Sequence, residues 1–577
     1  MCAIYGIISN CSNPQHQLTK MKEALLHRGP DAQGEFIDGK LSFGHNRLAI
    51  LDLTSAGNQP MVLDKEGLAL VYNGEIYNYK ELKEDLDPER FFSQSDTEVL
   101  LHAYKKWGKG CLKYLNGMYS FAIWDRNKRE LFLARDRFGI KPLYYSEQPN
   151  GFYFASEPKG LFAVGISRKP NMKIWSNYLS YGVYEHSEET FFQEVKQLRP
   201  GCYMVVSESC SIQIKRYYDL SEAVNKFEER IDNEEQVCEE YYPLLRDAVE
   251  ICFRSDVPVG FAVSGGLDSS ILIEMVSQVS NSNKHIKAFT YTCGDARYDE
   301  TPWVQELLAG KEHPLFISQT NASSISDLVV QVSQNQEEPF GGFNTLCLAE
   351  LCRLAKQENV TVLLDGNGLD EQWAGYDYYA QSTLSPEQFN SGPVQNSKTP
   401  SCRPECLSQD LEQEALQPSF ICSFDDTLDN LRYRDLVYTK IPRALRFSDR
   451  ASMMHSREIR VPFLDYRLVE YSFRLSKSML IHNQQHKYML RQMVGNILPR
   501  SLVQVPKRPL HTPQREWLAQ ELSGFVEDII FSRVFRELGW FNLSKVEREW
   551  KSFKETDPDN SFFVWQWISA YMFAAQN

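Results

Sequence analysis

Twice in the second half of this chain a short apolar run breaks directly into a glycine-rich polar loop and then into a helical pattern. Val259-Gly260-Phe261-Ala262-Val263 leads into Ser264-Gly265-Gly266-Leu267-Asp268-Ser269-Ser270, with a helix predicted from about Ser269. Val360-Thr361-Val362-Leu363-Leu364 leads into Asp365-Gly366-Asn367-Gly368-Leu369-Asp370. Apolar runs without polar alternation suit strands buried on both faces, and helices between them supply the crossovers that parallel pairs need. A predicted helix over Glu234–Cys252, a strand over Ile286–Thr292 and a helix over Asn344–Gln357 continue the alternation. The expectation is an α/β doubly wound parallel sheet with both loops at the carboxyl ends of their strands, where such sheets bind ligands. Beyond about residue 430 the pattern predicts a mainly helical part. Residues 381–418, rich in Ser, Pro, Gln and Asn, read as a mobile excursion.

The first 200 residues follow another rhythm. Short β-type runs such as Leu68–Tyr72, Tyr119–Trp124, Glu130–Ala134 and Phe152–Ala155 are separated by the turn pairs Asn73-Gly74, Asn116-Gly117 and Asn150-Gly151. Helical segments over Lys20–His27 and Thr97–Trp107 intervene, which indicates layered α+β with mostly antiparallel sheets. At 577 residues the chain exceeds what one core can organise, and length alone suggests two to four domains; the change of rhythm marks out two units, over 2–205 and 235–577. A composition of 42% apolar and 24% charged residues excludes a disordered chain.

A net charge of −14 argues against nucleic acid or an anionic membrane as partner, since both attract basic surfaces. No apolar run is long enough to span a bilayer, and the segment Met1 to Pro14 lacks the plan of a secretory signal. The thirteen cysteines form no CxxC pair. They are expected to be reduced thiols in a cytoplasmic protein.

Cys2 follows the initiator methionine. Removal of Met1 leaves a thiol beside a free α-amine, a base whose unperturbed pKa is roughly 8. Alone, a cysteine at position two is unremarkable. It is followed, however, by Gly44-His45-Asn46-Arg47, Asn73-Gly74-Glu75-Ile76, Ser95-Asp96-Thr97-Glu98, Asn116-Gly117 and Arg135-Asp136-Arg137-Phe138-Gly139-Ile140-Lys141-Pro142. These motifs, in this order, resemble the class II glutaminase domain, an N-terminal-nucleophile αββα fold. The resemblance implies that Cys2 attacks the glutamine amide. It also implies that Arg47 pairs with the glutamine carboxylate and Asp96 with its ammonium, while the Asn73 side chain and the Gly74 N–H hold the oxyanion. As structural residues, Asn73-Gly74 would be a hairpin turn and Arg47 and Asp96 solvated charges. Ala3 stands where that family usually has glycine, which matters if the position needs positive φ.

The loop Ser264–Ser270 is similar to the SGGxDS loop of ATP pyrophosphatases. Glycines there let backbone N–H groups approach phosphate at a helix N-terminus. The resemblance assigns Ser264, Gly265, Gly266, Asp268, Ser269 and Ser270 to ATP, with Asp268 on Mg²⁺. In the second loop it assigns Gly366 to the nucleotide, Asp370 to Mg²⁺, and Tyr376 and Asn367 to the acceptor site. Asp365 and Asn367 replace the serine and glutamate usual in that family, so either Asp365 takes the proton-accepting role or the acceptor differs from aspartate. Asp449–Met453 and Arg460–Asp465 match a helical family segment. The region from Lys487 through Lys507 matches one that supplies a cation to the phosphates. Lys507 is the candidate there; Lys487 is equally well read as a solvated helix charge.

Together these features resemble the glutamine-hydrolysing asparagine synthetases. The implied reaction frees ammonia from glutamine, adenylates a carboxylate with ATP and Mg²⁺, and forms the amide with release of AMP and pyrophosphate. Aspartate is the first candidate acceptor, and a uronic acid sugar or a biosynthetic intermediate is the alternative. A non-catalytic glutamine- or nucleotide-binding scaffold is the reading from another class. A homodimer is usual in that family.

Overall fold

The computed structural model describes residues 2–576 except 10–12, 87–90, 228, 280–284, 381–388, 391–400, 496, 499–502, 504–511 and 557–559. Two six-stranded antiparallel sheets build the N-terminal part. In the first, Ala3–Ser9 lies between Leu41–Arg47 and Gly151–Ala155. In the second, Leu68–Ile76 pairs along its whole length with Gly117–Asp125. The period-two alternation of strand side chains explains the layering. Ile4 and Ile8 point to the second sheet, against Val71, Ala122 and Leu133. Ala3, Tyr5 and Ile7 point the other way, against Leu18, Met21 and Leu25 of the helical layer. Leu70 and Tyr72 meet Leu100, Leu101 and Tyr104 of the helix Asp96–Trp107 on the far side. The result is the expected αββα sandwich.

A five-stranded parallel sheet follows, in the order Leu315–Gln319, Ala288–Thr292, Val259–Ala262, Val362–Leu364, Glu458–Arg460. From Val259–Ala262 the chain winds outward on one side through two strands, then returns to lay Val362–Leu364 on the other. The reversal therefore falls between the two strands that carry the glycine-rich loops, which is where a crevice opens in a doubly wound sheet.

Three local expectations need correction. Asn73-Gly74 is no turn, because both residues lie inside the strand Leu68–Ile76, opposite Ser120 and Tyr119. The helix after the first loop begins at Leu267, two residues before Ser269, so Asp268 sits in its first turn. Glu458–Arg460, entering the segment expected to be helical, is the fifth parallel strand, with a 3₁₀ turn at Pro462–Leu464. Glu458 and Arg460 give that strand no apolar run, and its pairing with Val362–Leu364 holds it instead. Of the expected excursion, 381–388 and 391–400 lie outside the described residues, while Cys406, Leu407 and Leu411 are buried in an aromatic-rich core.

The two halves share buried surface. The C-terminal helix Phe562–Ala575 brings Phe573 to 4.8 Å from the Trp175 ring of the N-terminal half. Arg28 pairs at 2.6 Å with Glu157 and at 2.7 Å with Asp449, and its Nε donates to the Cys2 carbonyl at 3.0 Å. Among the described residues no helix is long and apolar enough to cross a membrane.

Candidate active sites

Cys2 opens the central strand of the first sheet and is buried, with Sγ 3.8 Å from the Leu48 carbonyl. Burial pushes its thiol up, against the opposing pull of the chain amine and Arg47. Its backbone N–H donates to Asn73 Oδ1 at 2.9 Å. Asn73 is wholly buried, and its Nδ2 has no hydrogen-bond partner among the described residues. An amide with one end committed and the other an orphaned donor is costly to bury, so a partner for that donor is the natural explanation. Gly74 follows where only glycine fits, since a Cβ there would lie 2.1 Å from the Met118 carbonyl. Ala3 takes extended backbone in its strand, so its methyl meets no φ constraint.

Asp96 sits in the first turn of its helix, next to the Ser95 cap. Its carboxylate accepts from Tyr72 Oη at 2.8 Å and from the Ile76 N–H at 2.9 Å, yet burial holds its pKa up at about 6. Arg47 ends the strand Leu41–Arg47. Its guanidinium donates to the Thr54 carbonyl at 2.8 Å, to Asn58 Oδ1 at 2.7 Å, and to the Leu51 and Asp52 carbonyls. It organises the loop beside Cys2 rather than standing solvated.

The crevice of the parallel sheet holds a cavity of about 630 Å³. Ser264, Gly266, Asp268 and Ser269 of the first loop line it, as do Asp365, Gly366, Asn367 and Asp370 of the second. The Ser264 N–H donates to Ser269 Oγ at 3.0 Å, which closes the first loop on its helix. Gly265 and Ser270 are turned inward: the Gly265 N–H donates to Glu300 Oε2 at 3.0 Å and Ser270 Oγ to the Gly266 carbonyl at 2.9 Å. Asp365 accepts from the Asn367 N–H at 2.9 Å, and burial raises its carboxyl to about 6. Tyr376 lines the cavity and donates to Glu371 Oε1 at 2.7 Å. Burial, then the neighbouring Asp370, pushes Glu371 to about 7.

Lys487 is no solvated helix charge. It is buried, its Nζ lies 2.5 Å from Asp268 and 2.6 Å from Asp370, and it joins the two loops. Gly375 leaves room for this pair, since a Cβ there would lie 2.1 Å from Asp370 Oδ1 and 2.4 Å from Lys487 Cε. Lys507 lies outside the described residues.

Two family models tile the chain in the order in which the two sites lie. A glutamine amidotransferase domain matches residues 1–218, and asparagine synthase matches residues 240–575. The chain belongs to the asparagine synthase family. It is similar to asparagine synthetase (glutamine-hydrolyzing) 1 of Bacillus subtilis strain 168, at 28% identity over 92% of this chain and 90% of that protein. It is 32% identical to asparagine synthetase (glutamine-hydrolyzing) 2 of the same strain, over 88% of this chain and 71% of that protein. A putative asparagine synthetase (glutamine-hydrolyzing) 2 of Methanocaldococcus jannaschii is 36% identical over 65% of this chain and 76% of that protein.

This family member carries further charged groups that no spacing in the sequence marked. Glu300, Glu371, Lys440 and Arg443 line the cavity. Arg460, on the last strand, bonds Glu458 at 2.6 Å and lies 3.4 Å from Glu75 of the N-terminal half. Its backbone carbonyl accepts from the Asp365 N–H at 2.9 Å.

Proposed function

We propose that the chain is a glutamine-dependent amidotransferase. It hydrolyses glutamine at Cys2, adenylates a carboxylate with ATP, and converts that carboxylate, aspartate in the first place, into the amide with release of AMP and pyrophosphate. The observation that carries the reading is Asn73, whose Oδ1 holds the Cys2 backbone while its buried Nδ2 has no partner among the described residues.

The glutaminase part spans 2–205. The Cys2 α-amine, freed by loss of Met1, takes the thiol proton, and the thiolate attacks the glutamine amide. Asn73 Nδ2 and the Gly74 N–H receive the oxyanion, ammonia leaves, and water releases glutamate from the thioester. Asp96 receives the substrate ammonium. Arg47 serves the substrate carboxylate by exchanging one of its neutral loop acceptors for a charged one, a stronger bond.

The synthetase part spans 235–577. Ser264, Ser269 and the N–H groups around Gly266 and Gly366 face the phosphates, and Gly265 and Ser270 support the loop from behind. Asp268 and Asp370 come from different loops yet converge on one ammonium, which marks a point of concentrated negative charge. Among the described residues no group of three or more His, Cys, Asp or Glu side chains is placed to hold a metal ion by itself. A pair of carboxylates completed by substrate phosphates is a donor set that suits Mg²⁺. Asp268 and Asp370 would hold it, and it would supply charge neutralisation at the phosphates. Lys487 adds positive charge at the same place. Lys507 keeps its proposed part in neutralising the α-phosphate. Asp365, near 6, is poised to accept the proton that the attacking ammonia sheds. Tyr376 and Asn367 border the acceptor. A cytoplasmic setting and a homodimer go with this reading.

Asp365 and Asn367 also favour a second reading, the same chemistry on another carboxylate such as a uronic acid sugar or biosynthetic intermediate. The test is AMP and pyrophosphate release with ATP, Mg²⁺ and glutamine, with and without aspartate, beside Cys2→Ala. Aspartate-dependent AMP with asparagine formed, and a Cys2→Ala variant that works only with added ammonium, supports aspartate. Glutamine hydrolysis without aspartate-dependent AMP moves the acceptor to the second reading.

A further inference from the structure

The loop 48–58 links the separate parts of the glutaminase site. Leu48 offers its carbonyl to Cys2 Sγ at 3.8 Å, and Thr54, Asn58, Leu51 and Asp52 together take the Arg47 guanidinium. Asp52 is the hub of this loop. Its Oδ1 accepts from the Thr54 N–H at 3.2 Å and from Thr54 Oγ1 at 2.6 Å. Its Oδ2 accepts from the Gln94 N–H at 2.9 Å, two residues before Asp96. Asp52 has a φ of 52°, a left-handed conformation that a residue other than glycine keeps only where its surroundings fix it.

Part of that fixing comes from the other half of the chain. Leu48 and Ile50 are buried against Val362 of the parallel sheet, beside Val257 and Val259. Asp256, between the helix Glu234–Ile251 and the strand Val259–Ala262, adds a reciprocal pair of bonds. Its carboxylate accepts from the Asp52 N–H at 2.8 Å, and its own N–H donates to the Ile50 carbonyl at 2.9 Å. An N–H held by a carboxylate makes a stronger bond than one held by a neutral acceptor. Asp256 is exposed, so its carboxylate can be removed without opening a cavity.

We propose that Asp256, a residue of the synthetase half, is a positioning residue of the glutaminase: it holds the loop 48–58 in the arrangement in which Arg47 and Asp96 receive glutamine. The proposal rests on the reading of the Cys2 site as a glutaminase. Asp256 reaches that site through the Asp52 backbone rather than by touching substrate. Without the carboxylate the Asp52 N–H loses its acceptor, the left-handed turn is no longer pinned, and the carbonyls that aim the Arg47 guanidinium move with it. The cost falls on glutamine binding, because the Asn73 oxyanion donor belongs to the strand Leu68–Ile76 and not to this loop. An interface contact without this role would lower stability and leave the glutamine affinity of the folded protein unchanged.

The experiment compares wild type, Asp256→Ala and Asp256→Asn in the full chain. It follows glutamate formation against glutamine concentration, and Tm with and without ATP and Mg²⁺. Glutamine is also titrated by calorimetry into Cys2→Ala, alone and combined with Asp256→Ala, so that affinity is read without turnover. Asp256→Ala should raise KM for glutamine roughly ten- to a hundredfold, the range of one hydrogen bond to a charged group, with kcat within about threefold of wild type. The double variant should bind glutamine more weakly than Cys2→Ala by the same factor. Asp256→Asn keeps an oxygen for the Asp52 N–H and should recover most of the affinity. The rise in Tm on adding ATP and Mg²⁺, which reports the nucleotide cavity whatever the acceptor is, should be the same in all three proteins. Unchanged glutamine affinity in Asp256→Ala, an Asp256→Asn variant no better than Asp256→Ala, or a matching loss at the nucleotide cavity overturns the proposal and leaves the glutaminase reading standing. A wild type that neither binds nor hydrolyses glutamine overturns the glutaminase reading and the proposal with it.

Discussion

Asn73 is where the structure makes its most exposed claim, because one side chain is given two separable jobs. Its Oδ1 accepts from the Cys2 nitrogen at 2.9 Å, the nitrogen that becomes the α-amine once Met1 is lost. Its Nδ2 is a buried donor waiting for the oxyanion, and removal of one such donor costs about 2.7–4 kcal/mol of transition-state stabilisation, or roughly 10²–10³ in kcat. Asn73→Ala removes both ends. The fold should survive, since leaving the Cys2 N–H unsatisfied costs about 1–3 kcal/mol against a typical reserve of about 5–15. The donor acts only once the carbonyl has become tetrahedral. The loss should therefore fall on kcat for glutamate formation, with KM for glutamine within roughly threefold of wild type. Asn73→Asp keeps an acceptor for Cys2 but no donor, and should be at least as slow. Pyrophosphate release driven by ammonium should be untouched in both variants. A rise in KM with kcat intact would mean that Asn73 binds glutamine uniformly. A loss below roughly tenfold would mean that it is only a structural residue of its strand. Either outcome refutes the assignment.

Four further outcomes follow from the same geometry. With Asp96 held near 6 and required as an anion, kcat/KM for glutamine should fall as pH drops through about 6, and a flat profile from pH 5 to 7 sinks that role. Because the folded-state pKa lies above the ordinary 3.8, the stability linked to Asp96 is present below about pH 4 and lost as pH rises through about 6; Asp96→Asn should raise Tm at pH 8 and not at pH 4. Arg28→Met strands Asp449 and the Cys2 carbonyl in the interface, so denaturant titration should show a loss of about 3–5 kcal/mol, and a loss under about 1 contradicts the buried pair. Lys487→Met should cut pyrophosphate release more than a hundredfold with glutamine hydrolysis intact, and Mg²⁺ should raise its Tm more than that of wild type, because Asp268 and Asp370 then lack a cation; equal Mg²⁺ shifts would deny that the two carboxylates form one site.

What was legible in the sequence is what local chemistry writes there. Unalternating apolar runs announced the parallel strands and Asn150-Gly151 announced an antiparallel hairpin, but Asn73-Gly74 misled, because both residues lie inside the strand Leu68–Ile76. The glycine loops announced the crevice, since a loop that must admit phosphate shows as glycine and serine whatever surrounds it. Lys487 was not legible: a lysine opening a helix looks the same whether it faces water or two carboxylates, and only the fold brings Asp268, more than two hundred residues earlier, to 2.5 Å. Glu458–Arg460 failed for the opposite reason, because the local pattern was polar. Burying an arginine and a glutamate at the end of a sheet is unfavourable unless partners are waiting: Arg460 and Glu458 pair with each other at 2.6 Å, and Glu75 of the other half lies 3.4 Å from Arg460. That exception has a physical consequence. Glu75 directly follows Gly74, and the Arg460 carbonyl accepts from Asp365, so one residue braces both the strand behind the oxyanion donors and the second nucleotide loop. An apolar strand there would offer Glu75 no polar neighbour from the other half.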